Sequence, residues 1–538
     1  MAKKIISILV LIALHQFSFA QAEFTTSKGT IVKQDRAVPF AESITAEDMR
    51  AILTVLASDE YEGRETGTEG QRKAADYIAD KFKTFGLPRI GAKNSYFQEM
   101  IYTGESWSQI KMKVGEEAYR HLWDFYSFPT RNSDRPTTKI EEVLFLGYGI
   151  DDPKYSDYEG KEVDGKTILI YAGEPKDKEG NYFISGSEKA SSWSSNWRKK
   201  LETAKEKGVA LVLIIDPNIQ KNIKENRRFL LSSSMRIGAG EQPEDNFANN
   251  IYISSTVAKE IVGGKFKKVV KARDRIAKKG KLKSVNIPTD IEVVQDKKIR
   301  QLIGSNVLGY IEGSDPRMKD EVIVVTAHYD HLGKRGQSIY NGADDNGSGT
   351  ATVLEVAEAL VKAQKAGAGP RRSVLVMLVS GEEKGLLGSQ YYAENPIFPL
   401  ENTVANINVD MVGRVDKKYA KNPNYIYVIG SDRLSTELHE INETANKTYT
   451  NLVLDYTYND DNDPNRYYYR SDHYNFAKKG IPAIFYFNGT HEDYHRSTDT
   501  VEKINFEKME KIGKLVFYTT WELANRDKRI VVDVEGRN

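Results

Sequence analysis

Six of the eight histidines in this 538-residue chain fall between positions 328 and 495, and the groups that could do chemistry there follow apolar runs. EVIVVTA is followed by His328, Tyr329, Asp330 and His331; VLVMLVS by Gly381, Glu382 and Glu383; TVANINV by Asp410; and IPAIFYF leads through NGTHEDY to His495. A neutral imidazole can give one nitrogen to a metal while its other N–H is fixed by an acceptor, and Asp330 is close enough to help orient His328 in this way. His331 is a spare candidate, expected to point elsewhere.

GADDNGSG, residues 342–349, sets Asp344 beside Asp345. Adjacent carboxylates repel unless a cation or hydrogen-bond donors neutralise them. A polar loop capping the helix that starts near Thr350 is the plain alternative. A phosphate cradle lacks both the GKS/T and the GxGxxG pattern. Glu382 and Glu383 are neighbours whose side chains diverge, so one can ligate a metal while the other serves as general base. Paired glutamates are common on solvated helices, but these follow an uncharged strand. Two histidines, two aspartates and a glutamate are too many for one catalytic zinc, which takes three protein ligands and water. They suit two ions about 3.5–4 Å apart that share a carboxylate.

Strands must carry these groups. From about residue 300 the apolar runs alternate with helical segments such as ATVLEVAEALVKAQ, which predicts a mostly parallel sheet covered on both faces. Ligands bind such sheets at the carboxyl ends of the strands, where the polar groups fall. Residues 44–87 read as helical: Thr45 with Asp48 forms a capping-box pattern, and Ala75, Ile78, Phe82 and Phe85 share one helical face, with the turn-rich loop EGRETGTEG between. Residues 138–290 read as a small β-rich module with a few helices. It ends in the basic run AKEIVGGKFKKVVKARDRIAKKGKLK, expected to be a solvated helix face.

Composition bounds the rest. With 77 Lys+Arg against 76 Asp+Glu the chain carries one formal positive charge, which gives no support to a dedicated nucleic-acid binder. The absence of cysteine excludes disulfides, thiol nucleophiles and thiolate metal sites. Lys3 and Lys4, the apolar run Ile5–Leu14 and Ser18-Phe19-Ala20 read as a secretory signal, so the mature chain is expected to begin near Gln21 and to be periplasmic or extracellular. No later stretch approaches the about 18 apolar residues of a spanning helix, so no stable membrane insertion is expected.

The ordered series AHYDHLG, NGADDNGSGTA, SGEEKGLLGS, NVDMVGR, RSDHYNFAKKGIPA and YHRSTDT resembles the M28 family of zinc aminopeptidases. FLGYGIDDPKYSDYEGKEVDGKTILIYAGEP resembles the protease-associated insert of many of its members. The resemblance implies an α/β/α zinc peptidase domain with an inserted β-rich protease-associated domain: an amino-terminal part over 21–137, the insert over 138–290 and the main catalytic part over 291–538. It implies two zinc ions per chain, one held by His328, Asp345 and Asp410 and the other by Asp345, Glu383 and His495. Asp345 is preferred to Asp344 as the bridge by alignment with the family position, where the preceding peptide bond is often cis. Glu382 would be the general base, Asp330 the partner of His328, and Tyr468 a substrate-side residue.

The expected activity is release of amino-terminal residues from peptide substrates. Carboxypeptidase or dipeptidase chemistry stays open, because Arg414, Arg470 and Arg496 are near enough in sequence to hold a terminal carboxylate. A non-catalytic exported metal-binding protein would have no need of Glu382 beside a ligand.

Overall fold

The computed structural model describes residues 25–26, 29–30, 36–231, 234–239 and 247–535; residues 1–20, read above as a secretory signal, lie outside the described residues. The chain divides into two compact units, one comprising 1–99 with 304–538 and the other Met100–Ile303. The second unit is therefore wider at both ends than the 138–290 expected. Its limits fall inside two long strands, β1 (Phe97–Val114) and, further on, Val285–Ile311.

The first unit opens with α1 (Ala46–Leu56) and α2 (Glu69–Phe85). The Thr45 hydroxyl caps α1 by accepting from the Asp48 N–H at 3.1 Å, as the capping pattern predicts. Ala75, Ile78, Phe82 and Phe85 all lie buried on one face of α2. The helix ends at Gly86, whose φ of 87° suits a residue without Cβ.

In the second unit, β2 (Arg135–Phe145), β3 (Thr167–Tyr171), β4 (Leu211–Ile215) and β5 (Asn250–Ile253) pair in that order, all parallel. Its helices include α3 (Trp197–Glu206) before β4, and α4 (Ser255–Val262) and α5 (Phe266–Lys279) after β5. The unit expected to be β-rich thus carries a parallel α/β core. β6 (Val285–Ile311) runs antiparallel to β2.

The first unit resumes with β7 (Val322–His328), α6 (Gly349–Lys365), β8 (Ser373–Val379), α7 (Leu387–Glu394), β9 (Thr403–Val409), β10 (Tyr425–Ile429), α8 (Thr436–Ala445), β11 (Val453–Asp455), β12 (Ala483–Phe487) and α9 (Phe506–Asn525). Strands β8, β7, β9 and β12 lie side by side and parallel, the mostly parallel α/β sheet expected of this part of the chain. β7, β8 and β9 are buried along their whole length. Ile323, Val325 and Ala327 face one core with α1, α2, α6 and α9, while Val322 and Val324 face another with Tyr392 and Phe476. Each such fully buried aliphatic side chain contributes about 1.5–3 kcal/mol. Because β7 connects to β8 on one side while β9 leads towards β12 on the other, the strand order reverses between the carboxyl ends of β7 and β9. That is where open α/β sheets bind ligands. Among the described residues no helix is long and apolar enough to cross a membrane.

Candidate metal centre

His328 is the last residue of β7 and is 1% exposed. Its Nδ1 lies 3.1 Å from the Asp330 carbonyl oxygen, which fixes that nitrogen as the donor and leaves Nε2 with a free lone pair. Nε2 stands 3.3 Å from Asp410 Oδ1 and 3.4 Å from Asp345 Oδ1. On the other side of Asp345, Oδ2 lies 3.0 Å from His495 Nε2, which is itself 3.4 Å from Glu383 Oε1. Asp345 therefore addresses both groups, one oxygen to each.

The expected partnership of Asp330 takes a different form. Its carbonyl, not its carboxylate, is the near neighbour of His328, the carboxylate being 3.9 Å away. That carboxylate accepts from the Thr66 hydroxyl at 2.7 Å and from the Glu382 N–H at 3.2 Å. Asp330 thus ties the end of β7 to the residue after β8, and it also holds the EGRETGTEG loop.

Asp344 points away from the cluster. Its carboxylate accepts from the Gly413 N–H at 2.7 Å, the Ser348 hydroxyl at 3.0 Å and the Asn488 amide at 3.1 Å, with His491 Nε2 at 3.1 Å. These donors answer the repulsion expected between adjacent aspartates. The cis peptide lies between Asp345 and Asn346, after the aspartate and not before it. At Gly342 (φ 56°) a Cβ would meet the His331 ring at 2.4 Å and the Asp345 carbonyl oxygen at 2.2 Å, so only glycine fits this turn.

His331 departs from expectation. It is fully buried, with Nδ1 2.9 Å from Glu383 Oε1 and 3.8 Å from Asp345 Oδ2. The three-residue offset from His328 does not turn it away, because the chain has left the strand by then. Tyr468 also differs from expectation. It packs under Arg433 at 4.0 Å and beside His473 at 5.4 Å, with burial as the main cause of a hydroxyl pKa pushed up to about 12. The tyrosine beside the cluster is Tyr494, whose ring stacks on His495 at 3.8 Å and whose hydroxyl accepts from Arg470 Nη2 at 3.3 Å. Burial and the nearby Asp345 and Glu383 carboxylates raise its pKa well above the ordinary value. Its place immediately before His495 was the available signal.

Arg64 was also missed. Its buried guanidinium donates to the carbonyl oxygens of Tyr329 (2.8 Å), Leu56 (2.8 Å), Asn341 (2.6 Å) and Gly342 (2.8 Å). One side chain thereby fixes the loop bearing His331 against the turn that presents Asp345.

Charges within the cluster are divided unequally. Burial, then the neighbouring Glu383 and Asp410 carboxylates, pushes Glu382 well above the usual carboxylate range despite the opposing pull of His328. Burial would also raise Glu383, but the His495 and His331 imidazoles outweigh it and hold it well below. Asp410 Oδ2 accepts from the Ser471 hydroxyl at 2.7 Å, while the buried Oδ1 has no hydrogen-bond partner.

These positions pass a geometric test for metal. Two donor atoms each about 2.1 Å from a tetrahedral zinc stand about 3.4 Å apart. The contacts of His328 Nε2 with Asp345 and Asp410, and of His495 Nε2 with Asp345 and Glu383, fall between 3.0 and 3.4 Å. Glu382 Oε2 is more distant from His328 Nε2, at 3.8 Å. A cation between the orphaned Asp410 oxygen and His328 Nε2 would satisfy both.

An α/β sheet with converging imidazoles and carboxylates at its strand-order reversal defines a candidate metalloprotein. Residues 306–520 match the family model for Peptidase family M28. Over 216 residues it is 34% identical to a probable leucine aminopeptidase of Trichophyton verrucosum, covering 39% of this chain and 56% of that protein. It is 28% identical over 231 residues to aminopeptidase YwaD of Bacillus subtilis, covering 42% and 46% respectively. The chain thus spans about half the length of the curated relatives it matches. The solved aminopeptidase from Aneurinibacillus sp. strain AM-1 shares its fold, with a TM-score of 0.57 at 19% identity over 93% of this chain and all of that one.

Proposed function

We propose that the protein is an exported two-zinc exopeptidase that releases amino-terminal residues from peptides. The observation that carries this reading is the placement of Asp345, with one oxygen 3.4 Å from His328 and the other 3.0 Å from His495. A bridging carboxylate between two imidazole-bearing groups suits a pair of metal ions. His328, Asp345 and Asp410 would hold one zinc and Asp345, Glu383 and His495 the other. The match of residues 306–520 to the M28 family model and the aminopeptidases among the relatives favour the amino end of the substrate. We read the Met100–Ile303 unit as the protease-associated insert, and residues 1–20 as the segment that directs export.

Bound zinc would polarise the scissile carbonyl and acidify the attacking water. The chain's own residues then move the proton. Glu382 Oε2, outside both ligand sets, takes it from the water and returns it to the leaving amine. The Asp330 carboxylate holds Glu382 in place through the Glu382 N–H. Tyr494, fixed by its stack on His495, offers its hydroxyl to the developing oxyanion.

Of the three arginines considered for a terminal carboxylate, Arg414 is engaged by Asp493 at 2.8 Å, while Arg470 stands beside the Tyr494 hydroxyl. Arg470 and Arg496 are therefore the cations on which a carboxypeptidase would depend. Mass spectrometry of a peptide pool, half with free and half with acetylated amino termini, separates the readings after digestion by the zinc-loaded protein. Stepwise loss of amino-terminal residues from the free peptides alone is expected. Trimming at the carboxyl end would overturn the assignment, and no cleavage of either set would point to metal binding without catalysis.

A further inference from the structure

The ten Lys and Arg residues between Lys265 and Lys283 face a single acid, Asp274, so this stretch carries a formal charge of +9 in a chain whose total is +1. α5 occupies most of it. The helix buries Val269, Ala272 and Ile276 and turns its cations outward. Only Arg273 is ion-paired among the described residues of the run, with the adjacent Asp274 at 3.8 Å. Other helices carry ion-paired exposed charges, as in Arg72 with Glu69 and Asp76, and Lys362 with Glu358. Unmatched like charges on one helix face repel at close spacing, so this arrangement is poorly explained as a solvated face.

The cations also line a cavity. A groove of ≈ 680 Å³ runs between α5 and the start of β6, and Lys268, Lys271, Arg275, Lys278, Lys279 and Lys283 contribute to its walls. From Lys268 to Lys279 the helix advances about 16 Å, so the positive charges form a line and not a point. No aromatic side chain lines the groove. Single-stranded nucleic acid is held by base stacking on aromatic platforms as well as by charge, and this groove offers charge alone. A bilayer surface is flat, and the apolar face of α5 that could enter it is already buried in the unit's core.

We propose that this groove binds a linear acidic polysaccharide, its sulfate, phosphate or carboxylate groups pairing with the lysine and arginine row. The inference stands apart from the peptidase assignment, because it concerns residues of the Met100–Ile303 unit alone. Association would be driven by counterion release and would weaken steeply with salt.

The test uses the full zinc-loaded chain and size-defined heparin fragments as probe. One variant carries Lys268→Glu, Lys271→Glu, Arg275→Glu and Lys279→Glu; a second carries Gln at the same four positions, to keep the test sound if the reversal unfolds the helix. A control carries Lys421→Glu, Lys447→Glu, Lys478→Glu and Lys479→Glu, equal in charge change. Both groove variants are expected to weaken heparin binding at least about tenfold and to lower the slope of log Kd against log salt by about 3–4. The control should retain the parent's affinity, and peptide hydrolysis should be unchanged in all three. Equal loss in groove and control variants, or parent-like binding by the groove variants, would overturn the proposal. So would tighter binding of the parent to oligo(dT) or to phosphatidylglycerol vesicles than to heparin.

Discussion

Two regions of this chain gather like charges, and they do so in opposite surroundings. At the ends of β7, β8 and β9, Asp345, Glu382, Glu383 and Asp410 converge with side chains no more than 12% exposed. On α5 the lysines and arginines stand in water. Two like charges 4 Å apart cost about 4 kcal/mol at the effective dielectric typical of proteins, and several pairs act at once in the buried cluster. The same spacing at the surface costs a fraction of that once water and salt screen it. A buried cluster of acids therefore needs a counter-charge for the fold to persist, whereas an exposed row of bases needs one only for recognition. On the readings proposed above, the buried cluster is tied to stability and chemistry together, the exposed row to binding alone.

Removing the bridge is the strongest way to break that contrast. Asp345→Ala is expected to lose both ions and lower turnover by about a thousandfold or more, since each proposed metal loses a ligand. Elemental analysis should find the zinc gone, and chelators should no longer shift the melting temperature; two retained zinc ions would remove Asp345 from the bridging role. Next in size is Glu382→Gln, expected to cost about 10²–10⁴ in kcat through loss of proton transfer. Zinc content and melting temperature should stay at the parent's values, and an active Glu382→Gln protein would sink the general-base assignment. Asp330→Asn comes third. It replaces one of the oxygens that hold Thr66 and the Glu382 N–H, and turnover should fall about 10–100-fold, as for other partners lying behind metal ligands. A kcat loss at saturating zinc with unaltered KM is the expected signature; unchanged kcat would show that the Asp330 carbonyl alone does the positioning.

The strand ends were legible because a parallel sheet buried on both faces leaves an uncharged run, and the first polar residue after it stands out. His328, Glu382, Glu383 and Asp410 announce themselves in that way, and the structure brings them together with Asp345 and His495. What sequence could not resolve depends on direction at short range. Asp344 and Asp345 are chemically identical neighbours; the four polar groups around one carboxylate distinguish them, and those come from Ser348, Gly413, Asn488 and His491. Tyr468 and Tyr494 both lie in aromatic-rich loops, and only the stack on His495 separates them. Arg64 sits in a loop marked by its glycines, and its role requires carbonyl groups more than 250 positions away. The limits of the second unit were hidden because they fall within strands that run on past them.

Glu355 sharpens the comparison at its weaker end, being a buried acid with no cluster around it. It lies on α6 at 2% exposure, and Oε2 has no hydrogen-bond partner. Burial is the main cause of its pKa rising from 4.5 to about 8; Glu358 and Asp48 add to the rise, Lys362 and Lys81 oppose it, and Tyr77 is a further titratable neighbour. With no cation close enough to offset its burial, the group answers desolvation by keeping its proton. Between pH 4.5 and 8 the folded chain therefore holds a proton that the unfolded chain has released. Stability from this group is greatest below the unfolded value and declines as pH rises through the folded one. Glu355→Gln removes the titration while keeping size and polarity. Its advantage over the parent should be small at pH 4.5, grow to the order of a few kcal/mol by pH 8 and then level off. Paired denaturation curves at fixed zinc across that range measure the difference directly. A difference independent of pH would mean that Glu355 is ionised in the fold, and that burial alone does not set how this protein settles an unmatched charge.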